Sequence, residues 1–96
     1  MQEPSASARR RCVVRGRVQM VGFRAFASRV AAREQLRGWV RNRPDGAVEC
    51  LVEGAPGAVD RFLTAMRRGP AAARVDGVEV GEEPGGAPLA PFEARG

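Results

Sequence analysis

Several side chains that dominate enzyme chemistry are missing from this sequence. Its 96 residues include no histidine, no lysine and no tyrosine, and Asn42 is the only asparagine. A Ser-His or Cys-His nucleophile pair needs an imidazole, and Schiff-base chemistry needs a lysine amine. Histidine is also the usual general base near neutral pH. These absences exclude the commonest nucleophilic and acid–base mechanisms.

Cysteine is scarce, and long apolar runs are lacking. Cys12 and Cys50 are too few for a disulfide framework, and without histidine no zinc site can be completed. We therefore expect no metal and no other cofactor. No apolar run approaches the ~18 residues that span a bilayer, and residues 1–10 lack the apolar centre of a secretory signal. The sequence predicts a cytoplasmic protein with no membrane partner.

Length and composition indicate one small globular domain. The chain is 44% hydrophobic and 28% charged, as ordinary globular domains are. Residues 1–9 are polar and aperiodic. We expect a flexible N-terminal tail at residues 1–9 and a single domain at residues 10–96.

Charge is distributed unevenly along the chain. Residues 1–43 hold 11 arginines and two carboxylates, a net charge of +9, whereas residues 44–96 hold five arginines and nine carboxylates, a net charge of −4. An anionic partner is therefore expected to meet the first half. A genome-wide preference for arginine over lysine explains the high arginine content equally well, so charge alone leaves both interpretations open.

The hydrophobic pattern predicts four strands, two helices and a short fifth strand. Alternation of polar and apolar residues indicates strands, and apolar residues at helical spacing indicate helices. Gly38 is expected to end the first helix. The predicted elements are strand Arg11–Val18, helix Phe23–Arg37, hairpin strands Trp39–Asn42 and Ala47–Val52 around the turn 43–46, helix Pro56–Arg68, a strand at Val78 and Val80, and a short strand Phe92–Arg95.

This order of elements restricts the fold. Right-handed crossovers place both helices on the same side of one sheet. The sequence therefore predicts an α/β domain of the α+β type, a ferredoxin-like βαββαβ sandwich whose antiparallel sheet has two helices on one face and an open second face. Many functions use this fold, so the site must decide the activity.

The chain from Gly16 to Gly22 joins a strand directly to a helix. Backbone N–H groups of such a loop and of the first helical turn can bind an anion. Spacing alone fits a plain connecting loop better. Arg24 favours the anion site, because a cation in the first turn opposes the helix dipole at a cost of about 0.3–1 kcal/mol that a phosphate would offset. Asn42 ends a strand, where either turn chemistry or a site role fits.

Two blocks resemble the acylphosphatase signature. They are Gly16-Arg17-Val18-Gln19-Met20-Val21-Gly22-Phe23-Arg24, and Gly38-Trp39-Val40-Arg41-Asn42 followed by Asp45-Gly46-x-Val48-Glu49. The resemblance covers nearly everything except the N-terminal tail. It implies that Arg24 binds phosphate and that Asn42 positions the attacking water. The amides it implies for the phosphate site are those of Arg17, Val18, Gln19, Met20, Val21, Gly22 and Phe23.

One residue departs from that signature. Met20 stands where most members of the family have glycine. If the backbone at this position must adopt a positive φ, the loop is strained. Because Arg24 and Asn42 are both present, we expect activity to survive.

The resemblance implies an acylphosphatase, an acylphosphate phosphohydrolase that converts small acyl phosphates to carboxylate and inorganic phosphate. Inorganic phosphate or sulfate is then the expected product-like ligand. The alternative is a ferredoxin-like nucleic-acid-binding module, because RNA-recognition domains share the βαββαβ order. Such modules stack bases on exposed strand aromatics, and most of the five aromatic residues here fall at helical or core positions, so nucleic acid is not the expected partner.

The sequence leaves several further points open. Acylphosphatase-like domains also occur at the front of larger maturation enzymes, although the compact length favours a free-standing hydrolase. Cys12 and Cys50 fall on the core face of adjacent predicted strands, where a disulfide is geometrically conceivable. Two buried thiols fit a cytoplasmic protein better. The sequence does not indicate which acyl group is natural or which oligomer forms.

Overall fold

The computed structural model describes residues 7–96, which form two helices on one five-stranded sheet. The sheet order is β4-β1-β3-β2-β5, in which β5 runs parallel to β2 and the other neighbours are antiparallel. The predicted ferredoxin-like α+β fold is confirmed. The elements are β1 Ala8–Arg17, α1 Phe23–Arg33, β2 Arg37–Asn42, β3 Val48–Gly54, α2 Pro56–Arg68, β4 Arg74–Glu82 and β5 Glu93–Arg95.

One face of the sheet packs against both helices and forms the core. Apolar residues at helical spacing give α2 a continuous buried stripe, and alternation along the strands supplies the opposing surface. No helix of residues 7–96 is long and apolar enough to cross a membrane. The buried partners are Val59, Phe62, Leu63 and Met66 of α2, Ala27, Val30 and Ala31 of α1, and Cys12, Val14, Val40, Val48, Cys50 and Val52 of the sheet.

The second face of the sheet carries no helix but is covered by its own long side chains. Glu49 is 1% exposed and accepts hydrogen bonds from Arg11 at 2.7 Å and from Arg41 at 2.8 Å. Arg9 of β1 and Glu53 of β3 form a further ion pair, with 3.1 Å between Nη2 and Oε2. A buried carboxylate of this kind is tolerated only while its partners remain in place. Arg11 and Arg41 therefore serve to neutralise Glu49.

Helix α1 ends earlier than predicted, through a hydrogen-bonded cap. The N–H of Leu36 donates to the carbonyl of Ala31 at 2.9 Å, and the N–H of Gln35 donates to Ala32 at 3.2 Å. Gln35 adopts φ 59°, so a glutamine occupies the left-handed position that glycine usually takes in a Schellman motif. The cap turns Leu36 into the core, where it is 5% exposed.

The prediction that Gly38 ends this helix is wrong. Gly38 lies inside β2 at φ 131°, and a β-carbon there would collide with the carbonyl oxygen of Leu51 on the neighbouring strand. The glycine is thus required by a close approach of two strands. The local sequence does not show whether a glycine ends a helix or allows two strands to approach closely.

Strand β1 also begins earlier than expected, so Ala8 and Arg9 are part of the sheet and not of a tail. The side chain of Arg9 donates to Glu53 at 3.1 Å and to the carbonyl of Ala87 at 2.6 Å. These partners are distant in sequence, which is why the local pattern does not reveal the strand start. Of the rest of the expected tail, Ser7 is exposed and precedes the strand, and residues 1–6 lie outside the described residues.

The two cysteines face each other in the core. Cys12 on β1 lies directly opposite Cys50 on β3, and both are buried free thiols. Burial raises the pKa of Cys12 to about 12 and the pKa of Cys50 well above its usual value. Because the thiolate is the reactive form, both side chains act as small apolar core groups.

Candidate active site

A five-residue loop, residues 18–22, connects β1 to α1. Its two flanks are fixed by burial, since Val18 is 1% exposed and Phe23 is 2% exposed. Between them Met20 adopts φ 62° and Gly22 adopts φ 79°. A left-handed conformation suits glycine and is disfavoured for a residue with a β-carbon. Met20 therefore adopts a positive φ, the conformation that was expected to strain the loop if a residue other than glycine stood here.

Gly16 and Arg17 belong to β1 and not to this loop, which corrects the predicted loop boundary. Arg17 lies opposite Arg74 of β4, so sheet pairing extends past the first glycine. Gly16 has φ 130° at an irregularity of that pairing, where a β-carbon would collide with the carbonyl oxygen of Arg74. Of the two glycines that bound the predicted loop, only Gly22 turns the chain into the helix.

The loop leaves its backbone N–H groups without acceptors in the described chain. No amide of residues 18–22 donates a hydrogen bond to another residue of 7–96, and Phe26 donates the first bond of α1 to Gly22 at 3.0 Å. No side chain caps Gly22, and no acidic residue occupies the first turn of α1. Free N–H groups at the positive end of a helix are suited to binding an anion.

Gln19 holds this loop against the turn between β2 and β3. Its Nε2 donates to the carbonyl of Arg43 at 2.7 Å and to the carbonyl of Ala47 at 2.9 Å. The contact brings the loop beside Asn42, the last residue of β2. The sequence drew attention to Gln19 only for its backbone amide. No local pattern signals the side-chain role, because both acceptors are backbone atoms distant in sequence.

Arg24 lies in the first turn of α1, and the last strand orients its guanidinium. Nη1 donates to the carbonyl of Arg95 on β5 at 2.8 Å. Within residues 7–96 no carboxylate pairs with Arg24. A guanidinium has five N–H donors in a planar fork. Most of them therefore remain available to an anion.

Carboxylates near the hairpin turn neutralise other arginines instead. Asp45 lies 3.1 Å from Arg43 and 3.4 Å from Arg15. The N–H of Ala47 lowers the pKa of Asp45 most, and the two arginines lower it further. Together with the Glu49 pairs, this arrangement neutralises Arg11, Arg15, Arg41 and Arg43, whereas Arg24 has no carboxylate partner within residues 7–96.

Arg24 and Asn42 meet at one cavity of about 210 Å³. Asn42 is half-buried, and its side-chain amide forms no hydrogen bond with the described chain. Arg17, Gln19 and Val21 do not line the cavity. The complete lining is Val18, Met20, Gly22, Phe23, Arg24, Ala25 and Asn42. No group of three or more metal-ligating side chains occurs among residues 7–96.

These features define a class of protein: a ferredoxin-like α+β fold with a candidate anion site at its first strand–helix junction. Comparison with known proteins identifies the family. The acylphosphatase family model matches residues 10–94. An acylphosphatase of Rubrobacter xylanophilus is 46% identical over 95 residues, which cover 99% of this chain and 86% of the relative. The chain belongs to the acylphosphatase family and functions as an acylphosphatase, a hydrolase.

Solved structures agree with this assignment. The acylphosphatase from Bacillus subtilis is 38% identical with a TM-score of 0.84, over 90% of this chain and 94% of that one. Full-length HypF, in its phosphate- and nucleotide-bound form, is 25% identical with a TM-score of 0.88. That match covers 100% of this chain and 13% of HypF, so the same fold also forms a small part of a much longer protein.

The alternative of a nucleic-acid-binding module is not favoured. Trp39 is the one aromatic residue of the described chain on the helix-free face of the sheet. Guanidinium carbons of Arg41 and Arg95 lie 5.7 Å and 5.0 Å from its ring centre. The other aromatic residues are buried in the core or packed against it: Phe23, Phe26, Phe62 and Phe92. No base-stacking platform is present in residues 7–96.

We predict that Arg24→Lys weakens the binding of inorganic phosphate by about 10- to 100-fold, because lysine keeps the charge but cannot form two parallel hydrogen bonds. Titration calorimetry with phosphate measures the change. The matched control is Arg29→Lys, an exposed arginine of the same helix that does not line the cavity. Equal affinity of the wild type and Arg24→Lys would contradict the candidate anion site.

Proposed function

We propose that this acylphosphatase hydrolyses the carboxyl–phosphate bond of small acyl phosphates in the cavity at the first strand–helix junction. Arg24 and the backbone amides around residues 18–23 bind the phosphoryl group, and Asn42 positions the attacking water. The observation that carries the proposal is the shared cavity of about 210 Å³, in which Arg24 and Asn42 meet the N-terminus of α1. Inorganic phosphate, or sulfate in its place, is the product-like ligand.

Phosphate binding explains an otherwise unfavourable arrangement. Arg24 places a cation at the positive end of α1, with no acidic residue in the first turn to offset it. The loop amides add further unsatisfied donors. A phosphoryl group accepts hydrogen bonds from both sets, and these donors also stabilise charge on its equatorial oxygens during the reaction.

Few catalytic groups suffice because the leaving group is a carboxylate. Its conjugate acid has a pKa near 4, so the carboxylate departs as an anion without a proton donor. The water oxygen forms a bond to phosphorus, and the bond from phosphorus to the acyl oxygen breaks with its electron pair on the carboxylate. The water's proton passes to a phosphate oxygen of the substrate. Positioning and electrostatics account for the remaining barrier.

Asn42 is suited to holding the water. Its amide offers both a donor and an acceptor, and neither is engaged by another described residue. Its place at the end of β2 is fixed by pairing with Val48 of β3. A rigid strand end positions a side chain better than a loop does.

The cytoplasm is the compartment that we infer for this chain. Cys12 and Cys50 are the only two cysteines of the sequence. Small secreted domains rely on a framework of several disulfides, which two cysteines cannot supply.

Benzoyl phosphate hydrolysis tests the proposed function. The wild type should release benzoate and inorganic phosphate, and Arg24→Ala should lose at least about 100-fold in kcat/KM because the phosphoryl group loses its guanidinium. Ultraviolet absorbance of the acyl phosphate follows the reaction. A wild-type rate no higher than that of Arg24→Ala would overturn the proposal.

Asn42→Ala should lower kcat by about 100-fold or more and leave inhibition by inorganic phosphate nearly unchanged, as expected for a group that acts on the water in the transition state. Because the amide forms no hydrogen bond within the described chain, the midpoint of thermal unfolding should stay close to the wild type. Steady-state kinetics and a melting curve on the same sample separate the two effects. Unchanged turnover would exclude the water-positioning role.

The pH–rate profile should be flat between about pH 5 and 8 once substrate ionisation is accounted for. The sequence has no histidine, and no carboxylate or cysteine lines the cavity. The pKa of Asp45 is lowered, and the pKa of Cys12 is raised to about 12, so these groups titrate outside the window. Measurement of kcat/KM in constant-ionic-strength buffers checks this. A bell-shaped profile caused by a protein group would be the contrary result.

A further inference from the structure

Met20 is an apolar side chain in an unusual position. It is 100% exposed, the highest value among the large apolar residues described, and it lines the cavity that holds Arg24 and Asn42. The other exposed large apolar residue of residues 7–96, Val80 of β4, is 39% exposed and does not line the cavity. An exposed side chain buries no surface and so contributes little to folding.

The backbone does not explain a methionine here either. Met20 adopts φ 62°, a conformation that any β-carbon makes less favourable and that glycine adopts freely. Gln19 and the buried flanks Val18 and Phe23 already fix the loop without help from the Met20 side chain. Neither packing nor conformation among residues 7–96 therefore accounts for this side chain, which leaves contact with a bound ligand as its role.

The part of the substrate that meets Met20 follows from the in-line geometry, and this step rests on the proposed function. Water attacks phosphorus from the side of Asn42, so the acyl group leaves on the opposite side. A second hollow of about 540 Å³, lined in part by Trp39 and Arg95, also includes Asn42. Because Asn42 is the one residue that it shares with the cavity of Arg24, we place this hollow on the water side, and the acyl group is then directed away from it.

The remaining lining residues offer little else to an acyl group. Val18 and Phe23 are buried, Gly22 has no side chain, and Ala25 ends at its β-carbon. Arg24 is occupied by the phosphoryl group. Met20 is thus the one long apolar side chain of the described lining that can reach past the phosphate.

We propose that Met20 contacts the acyl group and makes this enzyme favour acyl phosphates with apolar acyl groups, aromatic or branched aliphatic, over acetyl phosphate. An unbranched thioether adapts to acyl groups of different shape, and sulfur packs well against an aromatic ring edge. The phosphate end is held by Arg24 and the amides, so Met20 affects discrimination between acyl groups and not phosphate affinity.

The test compares kcat/KM for benzoyl phosphate with kcat/KM for acetyl phosphate in the wild type and in Met20→Gln. Glutamine keeps the length of the side chain and the β-carbon at positive φ, and it removes only the apolar character. The benzoyl-to-acetyl ratio should fall by about five- to tenfold in Met20→Gln, since an open apolar contact discriminates less than a closed pocket does. Inhibition by inorganic phosphate should change by less than about twofold.

Three further variants complete the design. Met20→Leu keeps an apolar contact and should keep the ratio near the wild-type value. Val80→Gln, a polar replacement at the other exposed apolar residue, should leave the ratio unchanged. Trp39→Leu probes the second hollow and should also leave the ratio unchanged.

The outcomes separate this inference from the proposed function. Hydrolysis of both substrates with the same ratio in the wild type and Met20→Gln would overturn the role of Met20 alone. A fall in the ratio caused by Trp39→Leu and not by Met20→Gln would move the acyl group to the second hollow and also overturn it. A wild type that hydrolyses neither substrate would overturn both proposals.

Discussion

Two hydrogen bonds from the side chain of Gln19 join the loop at residues 18–22 to the turn between β2 and β3. Each contributes only about 0.5–1.5 kcal/mol to stability. Their importance is geometric, because they bring Arg24 of α1 and Asn42 of β2 to the same cavity. They also use a side-chain amide to anchor the loop, so the backbone amides remain free. A loop anchored through its own backbone would have consumed the donors that an anion needs.

Charge distribution complements this geometry. Asp45 and Glu49 each pair with two arginines around the hairpin, whereas Arg24 has no carboxylate partner among residues 7–96. The free protein thus holds a cation against the positive end of a helix, an arrangement that is mildly unfavourable on its own. Donors fixed before the substrate arrives need no rearrangement during the reaction, which is the basis of electrostatic catalysis. The high arginine content overstates the charge that is available for ligands.

Local patterns account for what the sequence predicted correctly. The spacing of Val59, Phe62, Leu63 and Met66 defines α2 with the bounds observed, and the turn at residues 43–46 defines the hairpin. Two errors, the role of Gly38 and the start of β1, occurred where distant residues decide. The third, the end of α1, occurred because Gln35 takes the left-handed cap position that glycine usually takes. The site divides in the same way. The helix dipole and the family resemblance both point to Arg24, and the resemblance points to Asn42. The side chain of Gln19 and the carbonyl of Arg95 act through contacts that no local pattern encodes.

The guanidinium of Arg24 rests on a carbonyl of β5, a strand of three exposed residues that joins the sheet only through β2. Short outer strands of this kind fray at a small fraction of the free energy that melts the core. Fraying of β5 would release the guanidinium while both helices and the central strands remained folded. If Arg24 binds the phosphoryl group as proposed, heat would reduce hydrolysis through this local opening before the chain unfolds, and the thermal tolerance of catalysis would depend on the edge of the sheet.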